Sequence, residues 1–176
     1  GLFPMPWWGY LVWTLAWMHI TLSAITLYFH REQAHRSIDL HPALRHFFRF
    51  WLWITTGAPT RQWVAVHRKH HALCEREGDP HSPVVFGLKT VVLQGAELYI
   101  DEARKPETLE KYGKGTPDDW LERNVYSRFD YTGIFLLGAF NLLMFGAAGI
   151  IMFAFQLATM PVLAAGIING VCHAKG

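Results

Sequence analysis

The chain has 176 residues, of which 51% are hydrophobic and 17% charged, and its formal net charge is +2. The 30 charged side chains are unevenly distributed: residues 1–29 and 131–174 contain none, whereas residues 31–130 contain 29 of them. Two uncharged apolar blocks around a charged middle region exclude a soluble globular domain and a disordered chain, and the small net charge excludes a nucleic-acid-binding protein.

The first apolar block predicts a membrane-spanning helix over residues 7–29. At a rise of about 1.5 Å per residue, this segment makes about 34 Å of helix, and the hydrocarbon core of a bilayer is about 30 Å thick. The block is too long and too rich in tryptophan for a signal peptide. A shorter aromatic stretch, about residues 43–56, follows it, and its length and composition favour an interfacial helix.

The second apolar block, residues 131–171, is about twice as long as one crossing requires. Small residues at 146–149 interrupt it near its middle, and they predict a turn between two antiparallel spans, about 131–148 and 150–168. The predicted fold is therefore an all-α, polytopic membrane protein. We expect one membrane domain over residues 1–176, with a helical cap formed by residues 30–130.

Basic residues are absent before the first span and frequent after it. Arg31, Arg36, Arg45 and Arg49 all follow the span within about 20 residues. Because positive charge is enriched on the cytoplasmic side of membrane proteins, we expect residues 30–130 to lie in the cytoplasm.

Eight of the ten histidines lie within residues 30–81. His30 and His35 are five residues apart, where the first span leaves the membrane. The second group has the spacing i, i+3 and i+4, which places its side chains on one helical face, and it consists of His67, His70 and His71. His173, with Asn169 four residues before it, follows the last span.

These histidines predict a metal site. Neutral imidazole is a good ligand for iron, copper and zinc, and no cluster of carboxylates or thiolates accompanies it. If residues 43–56 are interfacial, all of these groups lie on the same side of the membrane. Six histidines and one amide exceed the three or four protein ligands of a zinc site, so we expect two metal ions. His81, which follows Asp79 and Pro80, is expected to support its loop. The alternative is that His81 contacts a residue that binds the metal, without binding the metal itself.

The order of these motifs resembles the integral-membrane fatty acid desaturases of the acyl-CoA Δ9, or stearoyl-CoA desaturase-like, group, and in particular the bacterial members. The similar features are an apolar span that runs into HREQAH, an aromatic helix, Trp63 four residues before HRKHH, a DPHSP loop, a membrane hairpin and NGVCH at its exit. The resemblance implies a di-iron enzyme that uses O2 and two electrons to insert a cis double bond into a saturated acyl chain, with acyl-CoA as the expected substrate. The iron ligands that it implies are His30, His35, His67, His70, His71 and His173, with Asn169 binding through water.

The resemblance also implies partners, a location and a missing motif. The expected electron donor is a ferredoxin, rubredoxin or cytochrome b5 with its reductase, and the expected location is the bacterial inner membrane with the active site facing the cytoplasm. The family has a third histidine motif of HxxHH type, and we therefore expect the natural protein to continue beyond Gly176.

Substrate contacts and alternatives complete the predictions. We expect Trp63 to line the acyl-chain tunnel, and Arg68 and Lys69 to bind a CoA phosphate or a lipid headgroup.

One alternative function is a membrane hydroxylase or related oxygenase with the same di-iron centre. The other is a non-catalytic membrane protein that binds metal or haem.

Overall fold

The computed structural model of the chain describes residues 1–163, and within this range it consists of helices and connecting loops without a β-strand. The predicted all-α fold is therefore confirmed for residues 1–163. The elements, in chain order, are α1 (Trp7–Ala24), the π-helical segment π1 (Ile25–Ala34), α2 (Pro42–Thr56), α3 (Thr60–Leu73), α4 (Pro83–Phe86), α5 (Leu88–Ala103), α6 (Pro106–Tyr112), the π-helical segment π2 (Glu122–Tyr126), α7 (Thr132–Phe145) and α8 (Ala147–Pro161).

The helices form two compact units. Unit 1 contains Gly1–Pro59 and Asp118–Ala158, and unit 2 contains Thr60–Pro117 together with the described residues from Thr159 onward. The predicted ligands His30 and His35 belong to unit 1, and the histidines of the HRKHH motif belong to unit 2.

Helix α2 covers the segment that was predicted to form an interfacial helix, and its bounds follow from local signals; its position at a membrane interface stays a prediction. Pro42 occupies its first turn, and the Nδ1 atom of His41 accepts a hydrogen bond from the backbone N–H of Ala43 at 3.3 Å. Proline and a capping acceptor both favour a helix start, because they accommodate the N–H groups that have no partner in the first turn. The helix ends at Gly57, which adopts a left-handed conformation with φ of 63°.

Helix α2 packs between α1 and α7 in unit 1. The indole N–H of Trp51 donates a hydrogen bond to the Thr21 hydroxyl at 2.9 Å, and the Trp51 ring lies 4.4 Å from the Trp17 ring. On its other side, α2 approaches α7 at Gly133, where an added Cβ would lie 2.5 Å from the backbone oxygen of Trp53. The aromatic side chains of α2 thus connect the first apolar block to the second.

The described part of the second apolar block, residues 131–163, forms two helices, and the chain turns between them at the first of the small residues. Helix α7 ends at Phe145, Gly146 turns the chain with φ of 64°, and α8 begins directly after it. Gly149, which was predicted to be in the turn, instead lies inside α8. Its missing side chain allows close packing, because an added Cβ would lie 1.9 Å from the Asn141 carbonyl oxygen. The predicted end of this span at residue 168 lies outside the described residues.

Within residues 1–163, one continuous helix is long and apolar enough to cross a membrane. It covers Trp7–Ala34, has 28 residues and reaches a mean hydropathy of 1.4. It therefore extends beyond the predicted end at residue 29, because π1 continues the helix after α1. Helices α7 and α8 are apolar as well but contain 14 and 15 residues, respectively.

A buried arginine of α2 holds the start of the second chain segment of unit 1, which begins at Asp118. The side chain of Arg49 is 2% exposed and donates hydrogen bonds to the two carboxylate oxygens of Asp119 at 2.6 and 2.8 Å. It also donates to Glu122 at 3.0 Å. The hydrogen bonds from Arg49 lower the pKa of Asp119 to about 2. Residues 118–126 are thereby held against α2.

Filling the close approach in the hairpin should destabilise the protein. The variant Gly149→Val must push α8 away from the Asn141 backbone, and overpacking of this kind costs about 1–3 kcal/mol. We expect a lower midpoint of thermal unfolding in detergent, as followed by circular dichroism. Ala147→Val adds a similar side chain at an exposed position two residues earlier and should leave the midpoint nearly unchanged. Equal midpoints for the two variants would contradict the packing.

The Arg49–Asp119 pair should make stability depend on acid pH. Because the pKa of Asp119 lies below the ordinary value of about 3.9, its stabilising contribution is complete above about pH 5 and is lost as the pH falls towards 2. In denaturant titrations, the difference in unfolding free energy between the wild type and Asp119→Asn should therefore shrink between pH 5 and pH 2. The control is Asp118→Asn, because Asp118 is 78% exposed and lies 3.7 Å from an exposed Arg123. A difference that does not vary with pH would argue against this pair.

Candidate metal centre

The two histidines of HREQAH come together because the helix changes register. In an α-helix, residues five apart point about 140° away from each other. In π1, however, the backbone N–H of His35 donates to the backbone oxygen of His30 at 3.0 Å, which is the i to i+5 hydrogen bond of a π-helix. The imidazole rings consequently lie 4.5 Å apart.

Glu32 attaches the end of π1 to the residues that follow it in the chain. Its carboxylate is buried, with 6% of the side chain exposed, and it accepts hydrogen bonds from Arg45 at 2.8 and 2.9 Å. It also accepts a hydrogen bond from the backbone N–H of Leu40 at 2.9 Å. The acidic residue of the HREQAH motif therefore connects the π-helix to the start of α2.

In unit 2, α3 presents two of its histidines in one row. The rings of His67 and His71, four residues apart, lie 4.5 Å from each other. Trp63, a further turn earlier, stacks on His67 with ring centroids 4.7 Å apart and planes inclined by 17°. This indole forms an apolar wall beside the row.

The third histidine of α3 turns towards a different set of partners. His70 is 1% exposed, and its Nδ1 atom lies 2.9 Å from both carboxylate oxygens of Asp79. Its ring stacks on that of His81 at 4.3 Å. One potential ligand atom from each of these three residues lies within 4.8 Å of the others. The three histidines of the HRKHH motif thus have different neighbours. His67 and His71 form one row, whereas His70, whose ring lies 5.5 Å from that of His71, also contacts the Asp79 loop.

Burial and hydrogen bonding act in opposite directions on the Asp79 carboxyl group. Burial raises its pKa, but hydrogen bonds from His70 and from the backbone N–H groups of Glu75 and His81 outweigh that effect. The pKa of Asp79 therefore lies below its ordinary value, and the group is a carboxylate at neutral pH.

The two basic residues of the HRKHH motif have partners within unit 2. Arg68 donates to the backbone oxygens of Tyr112 at 3.1 Å and Lys114 at 2.7 Å, just after α6. The ammonium group of Lys69 lies 2.6 Å from the buried Glu102 carboxylate, which also accepts a short hydrogen bond from Thr108. Both side chains thus connect α3 to the neighbouring helices, and their predicted contact with substrate stays a prediction.

The described donor groups fit iron. Each unit, taken by itself, contains a pair of imidazoles whose rings lie 4.5 Å apart, and imidazole is a suitable ligand for iron. The residues that could bind the metal are His30, His35, His67, His70 and His71. The other two predicted ligand residues, Asn169 and His173, lie outside the described residues.

Sequence reasoning did not assign a role to Glu32 or Asp79. A signal was present in both cases, because Glu32 lies within HREQAH and Asp79 begins the DPHSP segment, two of the motifs that carry the resemblance. An acidic residue with that placement can support an imidazole instead of binding the metal itself. The expectation that His81 supports its loop stays a prediction, and its ring contact with His70 is the observation that bears on it.

The chain is similar to curated desaturases. An acyl-CoA 5-desaturase of Anemone leveillei is 31% identical over 176 residues, which cover 93% of this chain and 52% of the relative. An acyl-CoA C20 Delta5-desaturase of the same plant is 30% identical, with 93% and 54% covered. The Delta-9 acyl-lipid desaturase 1 of Arabidopsis thaliana is 26% identical, with 94% and 52% covered.

The chain spans about half the length of these relatives. No protein-family profile matches the chain, and no solved structure matches it. The similarity to several acyl-CoA and acyl-lipid desaturases supports the fatty acid desaturase family.

The role of Glu32 at the end of π1 can be tested by comparison with Asp39, because both acidic residues pair with Arg45. Glu32 is buried, whereas Asp39, 2.7 Å from the same guanidinium group, has a side chain that is 93% exposed. Because Glu32→Gln leaves a buried site without its charge partner, we expect it to lower the free energy of unfolding by about 1–3 kcal/mol. Asp39→Asn should cost at most about 1 kcal/mol, as for exposed ion pairs. Hydrogen exchange should also accelerate at residues 30–40 in Glu32→Gln alone, and similar exchange in both variants would refute this role.

Proposed function

We propose that this chain carries the iron-binding histidines of an integral-membrane fatty acyl desaturase. The observation that supports this most strongly is the presence of two close imidazole pairs, one in π1 and one in α3, in a chain that matches desaturases over 93% of its length. The proposed reaction converts two adjacent methylene groups of a saturated acyl chain into a cis double bond. One O2 molecule takes two hydrogens, that is two electrons and two protons, from the acyl chain. It takes two further electrons from an external donor and two protons from water, and two molecules of water form.

The proposed ligands are the six histidines named from the sequence and one amide. They are His30, His35, His67, His70, His71 and His173, with Asn169 acting through water. Two iron ions, when bound, supply the activation of O2 that no side chain can provide. The imidazoles would serve as neutral ligands. Four of them lie in two close pairs, His30 with His35 in π1 and His67 with His71 in α3.

The chain's own residues have positioning roles in this proposal. A methylene group has neither an acidic proton nor an electrophilic carbon, so acid–base side chains cannot activate it. What the protein contributes is the orientation of the acyl chain and the exclusion of water. We propose that Trp63, stacked on His67, lines the acyl-chain site. Arg68 and Lys69 are proposed to contact the polar end of the substrate, in addition to their hydrogen bonds with Tyr112 and Glu102.

Exposed apolar side chains support a membrane location with more than one span. Helices α7 and α8 present large hydrophobic residues outward in unit 1, and contiguous exposed apolar surface of this kind is typical of membrane contact. The most exposed are Phe135 at 75%, Ile151 at 71% and Leu143 at 61%. We propose that both helices are inserted along with the Trp7–Ala34 helix, and that residues 30–130 face the cytoplasm.

The finer assignments follow the names of the relatives and the resemblance. The acyl-CoA relatives are named as 5-desaturases, and the Delta-9 relative is named as an acyl-lipid desaturase. We propose an acyl-CoA substrate and a double bond at the Δ9 position, a combination that follows the resemblance of the histidine motifs. The reaction requires two electrons, for which we propose a ferredoxin, rubredoxin or cytochrome b5 with its reductase. We propose the inner membrane of a bacterium as the location.

Product analysis tests the proposed function. The full-length protein in membranes, supplied with a saturated acyl-CoA, O2 and a reducing system, should yield an acyl chain lighter by two hydrogens in mass spectrometry. His70→Ala removes a proposed ligand and should abolish this product while the protein still inserts in the membrane. His46→Ala, which alters an exposed histidine of α2, should retain it. A hydroxylated product, or full activity of His70→Ala, would contradict the proposal.

A further inference from the structure

Asp79 is the centre of a buried hydrogen-bond arrangement beside α3. Its side chain is 0% exposed, and both of its oxygens lie 2.9 Å from the Nδ1 atom of His70. The backbone N–H groups of Glu75 and His81 donate to the same carboxylate at 2.9 and 3.1 Å. A carboxylate only accepts hydrogen bonds, so the Nδ1 atom of His70 must be the donor.

A proton on Nδ1 determines what the other ring nitrogen can do. In neutral imidazole, the nitrogen without the proton carries the lone pair, which here is Nε2. A metal ligand requires that lone pair. We propose that Asp79 is a positioning residue that fixes the tautomer and the ring orientation of His70, so that His70 binds iron through Nε2. This inference rests on the proposed function, since it takes His70 to be a ligand.

The loop that carries Asp79 is built to hold the carboxylate in place. Glu75 adopts a left-handed conformation with φ of 60°, which is unfavourable for a residue other than glycine. The backbone N–H that this conformation presents is one of the donors to Asp79. Backbone hydrogen bonds from Arg76 to Leu73 and from Asp79 to Arg76 tighten the same turn. A strained backbone conformation at Glu75 indicates that the turn serves to hold the Asp79 carboxylate and does not only reverse the chain.

His81 limits the rotation of the His70 ring. The two rings are nearly parallel, with an angle of 29° between their planes and centroids 4.3 Å apart. His81 itself is 6% exposed and is tied to Asp79 through its backbone. The carboxylate therefore controls His70 twice, directly at Nδ1 and indirectly by placing the stacked ring.

Metal titration of the full-length protein tests this inference without relying on activity. Metal-free wild type, Asp79→Asn and Asp79→Glu are titrated with Co²⁺, and the visible absorption of the bound ion is recorded. The amide of Asp79→Asn can donate its N–H to Nδ1, which places the proton on Nε2 and removes the lone pair needed for the metal. We expect the Kd for Co²⁺ to rise roughly 10–100-fold, as for other residues that support metal ligands. Asp79→Glu keeps a carboxylate and should give a smaller rise.

Glu77→Gln is the matched control. Glu77 is exposed in the same loop, and its replacement should leave both the Kd and the cobalt spectrum unchanged. Circular dichroism of the metal-free proteins shows whether each variant folds, and if Asp79→Asn does not, the comparison of Asp79→Glu with Glu77→Gln carries the test. Folded Asp79 variants that bind Co²⁺ like the wild type, with the same spectrum, would overturn the inference.

The test separates this inference from the proposed function. If Co²⁺ binding depends on Asp79 but the wild type forms no unsaturated product, the role of Asp79 holds and the desaturase proposal fails. If the wild type desaturates its substrate and the Asp79 variants bind metal normally, the proposed function holds and the role of Asp79 fails. A wild type that binds no metal would overturn both.

Discussion

The register of the helix that leaves the first apolar block determines whether a metal site can exist at its end. His30 and His35 would face apart in a continuous α-helix, because five residues correspond to about 140°. The shift to i to i+5 hydrogen bonding in Ile25–Ala34 brings their rings to 4.5 Å. π-Helical turns occur frequently at functional sites, where a local change of register places side chains that an α-helix would separate. The long apolar helix Trp7–Ala34 and the first histidine pair are in this sense one structural feature.

Buried carboxylates support the histidine motifs within each unit. Glu32 joins π1 to the start of α2 through Arg45, and Asp79 holds His70 and its loop. Ionised groups at such depth need several donors, since burying a charge without partners is strongly unfavourable. Each of these acids has three or more hydrogen bonds. Ionised side chains thereby hold the segments that carry the imidazoles, and neutral imidazole is the form that a metal ion would bind.

The apolar blocks, the aromatic stretch and the small residues at 146–149 were sufficient to predict several of the helices in the described residues. Residues 43–56 form a helix, as their aromatic pattern indicated, and the small residues at 146–149 do mark the hairpin. The turn occurs at Gly146 because that residue takes a positive φ, while Gly149 serves the packing of α8 on α7. Sequence alone could not distinguish these two uses of glycine, since both follow from the lack of a side chain.

The site was less predictable than the fold. Motif spacing identified the histidines, and α3 does place His67 and His71 in one row. The separate environment of His70 could not be predicted from spacing, because it depends on a loop that returns to α3 nine residues later. The internal contacts of Arg68 and Lys69 depend in the same way on α5 and α6, which helical periodicity in α3 does not reveal.

The central claim is that these histidines form a di-iron centre. The iron content of the purified full-length protein, measured by elemental analysis together with its Mössbauer spectrum, tests this most directly. The account predicts two irons per chain with a spectrum typical of nitrogen-rich ligation. A folded protein that contains no iron after growth in iron-replete medium, or that holds a single zinc ion in its place, would contradict it.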